Sequence, residues 1–271
     1  MNVELVHWNP SRPRFPGKFG RLLKVPTNNF GDLLGPMIVR RILERQGIEV
    51  QQGERSVRLL SVGSVLRLAR EGDVVWGSGA NGKSLDAQHD YSRLDIRAVR
   101  GPLTKAFLEA KGITVPSVFG DPGLLVSHLW TREEIGATAR PEGTTVVPNL
   151  HDYEAMGDRS KVVNPRGNVW DIVRRIACSK LVVGSSLHGI VIAEAFGVPA
   201  RLVASRTEPA FKYEDYYRGT GRSEFEMAAD VHSAEKMGGE PALDWNPSAL
   251  LNAFPSDLWA AGRDASISVE G

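Results

Sequence analysis

The stretch Leu181-Val182-Val183-Gly184-Ser185-Ser186-Leu187-His188-Gly189 decides the fold class. Leu181 to Val183 reads as a buried strand, because a parallel strand covered on both faces needs apolar side chains throughout. Gly184 allows a tight turn. Ser185 or Ser186 is a natural N-cap, since a hydroxyl there accepts an orphan N–H of the first helical turn. The pattern predicts a helix over Gly189 to Phe196, a break at Gly197-Val198-Pro199, and a second strand over Arg201 to Ala204. Strand, helix and strand in that order imply a parallel sheet. Leu181 to Ala204 is also the most hydrophobic part of the chain, yet it contains His188, Glu194 and Arg201. Three ionisable groups inside a membrane span would be costly, so the stretch is expected to be buried in protein.

The same alternation runs outward in both directions. Val3 to Trp8, Val57 to Val62, Val74 to Trp76, Asp95 to Val99 and Val115 to Phe119 read as strands. Phe30 to Gln46 places Leu34, Ile38 and Ile42 on one helical face and stops at Gly47. Pro102 opens a helix that Gly112 closes. Further on, Thr145 to Val147 and Val162-Val163 read as strands, and Trp170 to Ser179 as a helix. Between the two runs, Thr131 to Gly143 is poor in apolar residues and holds Gly136, Pro141 and Gly143, so the domain boundary is placed there. Two α/β domains follow, 1–135 and 136–271, each with a mostly parallel sheet. Ligands of such sheets bind at the carboxyl ends of the strands, and the cleft between domains is the expected site. Phe211 to Gly221 reads as a packing or functional loop. Glu224 to Met237 and Pro247 to Leu258 read as terminal helices, and the C-terminal residues beyond them as frayed.

Composition narrows the function classes. The 271 residues are 42% hydrophobic, enough to bury a core without staples. Lys and Arg number 33 against 32 Asp and Glu, for a net charge of +1, a balance that argues against a nucleic-acid binder. The single cysteine, Cys178, excludes a disulfide framework and a cysteine-rich zinc site, and a reducing compartment is expected. Met1 to Pro10 lacks a secretory pattern.

Several segments carry candidate chemistry. Gly77 to Ser84 fits the phosphate-loop spacing G-x-x-x-x-G-K-[ST], which would set Lys83 on a nucleotide phosphate and Ser84 on magnesium. Its context is poor, because Leu85 to Arg93 has no clean apolar helical face. A glycine-rich turn lining a cleft is the favoured reading. His188 falls in the first turn of a helix at a strand's carboxyl end, where free N–H groups suit an anion and an imidazole can move protons near neutral pH. Arg97 and Arg100 occupy the equivalent point of the first domain, and a guanidinium matches a carboxylate or phosphate. Asn29 and Asp32 open the first long helix and serve either as caps or as acceptor-binding groups. His151-Asp152 is an acid/base pair or a plain loop. Phe211 to Tyr217 mixes aromatics with charge, which suits sugar stacking or packing of a C-terminal arm.

Taken in order, these segments resemble the polysaccharide pyruvyltransferase family, above all its bacterial exopolysaccharide branch, the ketal pyruvate transferases of xanthan and succinoglycan. The matching stretches are Asn29-Phe30-Gly31-Asp32 through Pro36, Trp76 to Gly79, Arg97 to Thr104, Gly120-Asp121-Pro122-Gly123, Ser185 to Gly189, and Glu194 to Pro199. The resemblance implies two Rossmann-like domains in a glycosyltransferase-B-like arrangement. It implies transfer of a pyruvyl group from phosphoenolpyruvate to two hydroxyls of a sugar, giving a cyclic ketal and phosphate. His188 and Arg100 are then the catalytic pair. Arg100, Ser185, Ser186, His188, Gly189 and Lys212 would bind the donor. Asn29, Asp32, Ser78, Gly79 and His151 would bind the acceptor. No metal and no cofactor besides the donor are expected. The acceptor would be a lipid-linked oligosaccharide, met by a cytoplasmic protein peripheral to the inner face of the membrane. Some members carry Arg-Leu-His where this chain has Ser186-Leu187-His188, so Arg97, Arg206 or Lys212 would have to replace a missing guanidinium. The competing readings are a phosphate-loop ATP-dependent enzyme built on Lys83, a sugar-nucleotide glycosyltransferase, and a non-catalytic polysaccharide-binding subunit.

Overall fold

A computed structural model describes residues 2–14, 23–50, 56–86, 88–157, 159 and 162–260. The expected frayed C-terminal tail, 261–271, lies outside them. The chain forms two parallel sheets with helices between and around them. The first sheet joins β1 (Asn2–Val6), β4 (Ser56–Leu60), β5 (Val74–Trp76) and β6 (Asp95–Ala98), all parallel and in that spatial order. This order is sequential, without the reversal that a doubly wound sheet carries. A two-stranded antiparallel hairpin, β2 (Ser11–Pro13) with β3 (Lys24–Pro26), branches from it and has no counterpart in the sequence reading. Val115 to Phe119 forms only an isolated bridge, Val99 to Phe119, rather than a strand.

The second sheet joins β7 (Thr144–Val146), β8 (Leu181–Gly184) and β9 (Ala200–Leu202), again parallel. Single bridges add residue Val162 outside β7 and Ala228 outside β9. The spatial order then reverses between β7 and β8. At such a reversal the two neighbouring strands send their following segments apart, and a crevice opens at their carboxyl ends.

Helix α1 (Phe30–Arg45) buries Phe30, Leu34, Ile38, Val39, Ile42 and Leu43, the stripe its 3.6-residue period sets. It packs on α5 (Val169–Ala177) and on the short turn 122–125. One core cluster takes in α1, α5, α6 (Leu187–Ala195) and residues Trp76 and Leu250, so the two sheets share a hydrophobic interior.

The expected loop at Phe211 to Gly221 is instead a helix, α7 (Phe211–Gly219). Tyr213, Tyr216 and Tyr217 lie at i, i+3 and i+4 and are all buried, so they form a helical stripe facing the core. Lys212, Glu214 and Arg218 take the other faces. The C-terminal helices are shorter than expected: α8 (Val231–Met237), α9 (Ser248–Asn252) and α10 (Asp257–Ala260). Helix α8 packs on β8 and β9 of the second sheet, whereas α9 and α10 return to the first, where Trp76 Nε1 donates to the Leu250 carbonyl (2.8 Å) and Arg97 pairs with Asp257.

Candidate functional site

Every element of the site follows the carboxyl end of a strand. A cleft of about 410 Å³ is lined from the first half by Trp8 after β1, by Asn29 and Asp32 at the start of α1, by Arg67 after β4, and by Asn81 and Lys83 after β5. From the second half come Asn149 and His151 after β7, Ser186 and His188 after β8, and Glu208 and Lys212 after β9.

His188 stands in the first turn of α6, whose N-cap is Ser186. The Ser186 hydroxyl accepts the Gly189 N–H (3.2 Å), which leaves the other first-turn N–H groups uncapped by it. His188 rests against α1 so closely that a side chain on Gly31 would lie 2.2 Å from its Nδ1. Gly63 serves both groups: with φ +96° it suits only glycine, and a side chain there would meet Asp32 Oδ1 at 3.5 Å and His188 Cε1 at 3.8 Å. His188 Nε2 faces Asp121 Oδ2 at 3.7 Å.

The electrostatics of the cleft are set by burial. Burial pushes the Asp32 carboxyl above its ordinary value, against the pull of His188, Asn29 and Lys212, and Asn29 Nδ2 donates to its Oδ2 (2.6 Å). Burial likewise lowers Lys212, although Glu208 works to keep it charged. Burial acts to raise Glu208, but the Lys212 and Lys83 ammoniums outweigh it and hold that carboxyl low. Glu208 Oε2 accepts from Lys212 (2.9 Å) and Oε1 from Lys83 (2.5 Å). Two ammoniums therefore share one carboxylate, and Arg67 adds a third cation that has no ion-pair partner among the described residues. The loop carrying Glu208 is tied down through Asp152, whose Oδ2 accepts from Ser185 (2.6 Å), Asn149 (2.7 Å) and Ser205 (2.9 Å). The result is a concave, cation-rich pocket with an imidazole and a buried carboxyl at its floor. It can bind a small polyanion and move a proton.

A sequence profile for polysaccharide pyruvyl transferases matches residues 29–206, from the start of α1 to the loop after β9. The chain belongs to the polysaccharide pyruvyl transferase family. It is 31% identical over 172 residues to the succinoglycan biosynthesis protein ExoV of Rhizobium meliloti, covering 60% of this chain and 54% of that one. The chain thus spans about half the length of this relative. It is 25% identical over 217 residues to an uncharacterized protein of Acanthamoeba polyphaga mimivirus, covering 70% of this chain and 72% of that one. The crystal structure of a functionally uncharacterized protein from Klebsiella pneumoniae superposes with a TM-score of 0.48 at 14% identity, covering 80% of this chain and 86% of that one.

The cleft gathers six of the residues assigned from sequence: Asn29, Asp32, His151, Ser186, His188 and Lys212. Five others stand outside its lining. Arg100 is fully buried, with Nε donating to Asp215 (3.0 Å), Nη1 to Ser64 (2.7 Å) and Nη2 to the Ala80 carbonyl (2.7 Å). Gly79 lies beneath that guanidinium, where a side chain would come within 2.4 Å of Arg100 Cζ. Ser78 is fully buried and donates to the Gly63 carbonyl (2.9 Å). Ser185 belongs to the Asp152 network, and Gly189 packs on Val147. Of the proposed replacements for the missing guanidinium, Arg97 is occupied by Asp95 and Asp257, and Arg206 does not line the cleft.

The Gly77–Ser84 turn does not form a phosphate loop. Among the described residues no helix follows it, and amides along it are taken within the protein: Gly79 N by the Gly63 carbonyl, Ala80 N by Thr104 Oγ1, Lys83 N by Asn81 Oδ1 and Ser84 N by the Asn81 carbonyl. Sequence reasoning missed Arg67, Glu208 and Asn149. Arg67 and Glu208 sit in segments with no motif; Asn149 is the N-cap of a short helix, α4 (Leu150–Ala155), whose signal is the Asn149 and Asp152 pair three residues apart.

Proposed function

We propose that the cleft transfers a pyruvyl group from phosphoenolpyruvate to two hydroxyls of a sugar, forming a ketal and releasing phosphate. The observation that carries this reading is the meeting of His188, the buried Asp32 carboxyl and the cations Lys212, Lys83 and Arg67 in one cleft of a pyruvyl transferase chain. Phosphoenolpyruvate has two anionic groups, and the cations with the α6 N-terminus supply partners for both. His188 protonates the methylene carbon, which leaves an oxocarbenium-like centre. One sugar hydroxyl attacks that centre as Asp32 draws off its proton. The second hydroxyl displaces phosphate and closes the ring. Of the two hydroxyl protons, one replaces that spent on the new methyl group and the other leaves with phosphate, so both groups return to their starting state. Cations and helix N–H groups stabilise the charge that develops, a contribution often larger than the proton transfer itself.

Arg100 serves this reading indirectly. It fixes Asp215 of α7 and so the helix that presents Lys212. The division into an acceptor half, 1–135, and a donor half, 136–271, in a glycosyltransferase-B-like arrangement, is part of the same proposal. So are a lipid-linked acceptor and a peripheral place at the inner membrane face. Among the described residues no helix is long and apolar enough to cross a membrane.

The test is thermal stabilisation by phosphoenolpyruvate, magnesium-ATP and sugar nucleotides. A ligand at 100 times its Kd adds about 2.7 kcal/mol. Phosphoenolpyruvate is expected to raise Tm, and Lys212→Ala to abolish the rise. His188→Gln is expected to keep the rise but lose phosphate release with an acceptor sugar. A shift with sugar nucleotide alone would replace this reading with glycosyl transfer. Unchanged turnover in His188→Gln would remove His188 from the chemistry.

A further inference from the structure

Asp121 lies outside the cleft lining, yet it is the group behind His188. It is fully buried and caps the turn Pro122–Leu125, its Oδ1 accepting the Gly123 N–H (2.9 Å). That bond fixes the carboxyl plane and aims Oδ2 at the imidazole. Oδ2 and His188 Nε2 face each other at 3.7 Å, and both atoms are sealed from solvent without a hydrogen-bond partner. Nδ1 lies at the other edge of the ring, against Gly31 where α1 opens onto the cleft, and is not sealed in this way.

Two buried polar atoms left unpaired opposite one another are unstable company unless they pair during the working cycle. The separation exceeds a hydrogen bond, as catalytic contacts often do before substrate tightens them. A carboxylate only accepts, so a bond between the two requires the proton on Nε2. The other charged groups lining the cleft beside the ring, Asp32 from α1 and Lys212 from α7, stand on the cleft side, where His188 and Lys212 both pull on the Asp32 carboxyl. We propose that Asp121 is the positioning residue that keeps the His188 proton on Nε2 and so makes Nδ1 the nitrogen presented to substrate. This rests on the reading that His188 acts on the donor. It adds that the imidazolium, stabilised from behind by Asp121, delivers the methylene proton from Nδ1 and is left as the neutral Nε2–H tautomer.

The ¹⁵N shifts of the His188 ring, assigned by loss of its signals in His188→Gln, report the tautomer directly. In the unaltered protein, titrated to the neutral ring, the proton is expected on Nε2. In Asp121→Asn the amide oxygen retains the Gly123 bond, since Asn caps as well as Asp. Its NH₂ then faces Nε2 and drives the proton to Nδ1. The corresponding exchange in a serine protease triad costs about 10⁴ in kcat; here a loss of about 100-fold or more is expected, with donor KM held. A proton on Nδ1 in the unaltered protein, or a tautomer that Asp121→Asn leaves unchanged, overturns the proposal. A tautomer that switches while kcat stays full upholds Asp121 as the positioning residue and instead removes His188 from the chemistry.

Discussion

At the residue scale, Asp32 exchanges stability for function. Its carboxyl is buried in the cleft and pushed above its ordinary value of 3.8, so the native state resists ionising it. The sign follows from linkage. The raised group favours folding below its unfolded value, and this contribution is lost as pH rises through the folded value. As pH rises the wild type therefore meets a growing cost for ionising a buried carboxyl. Asp32→Asn is expected to raise Tm at neutral pH while lowering turnover, and the Tm gap should close as pH falls toward 4. A calorimetric pH series on both proteins checks it. An Asn variant less stable than wild type at neutral pH would show that the Asn29 bond outweighs desolvation. Asp32 and His188 were legible in the chain because each sits in a helix's first turn, where capping chemistry marks the position. Arg67 and Glu208 were not, because an isolated charged residue looks the same on a surface as in a cleft.

At the element scale, α1 and α6 meet at their N-termini, and Gly31 is the contact that lets them. Alanine is the better helix former by roughly 0.5–1 kcal/mol. At Gly31, however, its methyl would lie 2.2 Å from His188 Nδ1 and 2.7 Å from Cγ, so the imidazole must move. Gly31→Ala is expected to leave the helix content unchanged by circular dichroism and to cost about 100-fold in kcat, the scale of a misplacement near 1 Å. Full activity would mean that the ring position is not critical. The strands β5 and β8 and the helices α1 and α6 were readable from periodicity to within two residues. Helix α7 was not. Its three tyrosines form a core stripe only because α2 (Pro102–Glu109) and α6 supply a surface for them, and sequence periodicity alone left tyrosine ambiguous between core and loop.

At the scale of the whole molecule, α7 is held to the first half by a buried ion pair. Asp215 accepts from Arg100, from the Thr104 hydroxyl (2.6 Å) and from the Thr104 N–H (2.8 Å), and both charged side chains are fully buried. Close packing seals the junction: a side chain on Gly101 would strike the Asp215 carbonyl, and one on Gly219 the Arg100 carbonyl. Breaking a buried pair strands a charge, at a cost of about 3–5 kcal/mol. Asp215→Ala is expected to lose that much in urea unfolding, and to weaken phosphoenolpyruvate binding because Lys212 rides on the same helix. A loss below about 1 kcal/mol would mean that water reaches Arg100.

Local order could be read from the chain alone. A βαβ rhythm, the glycine turns after strands and the caps of α1 and α6 depend on neighbours within a few positions, and the motifs that carry the family likeness lie in those same turns. Which cation faces the cleft could not be read so. Arg100 and Lys212 are both cations near strand or helix ends in the sequence. Only the fold shows that Arg100 has its guanidinium taken by Asp215, Ser64 and Ala80, while Lys212 reaches the cleft. A charged group's role depends on which partners and how much water surround it, and for Arg100 those partners stand 20, 36 and 115 positions away.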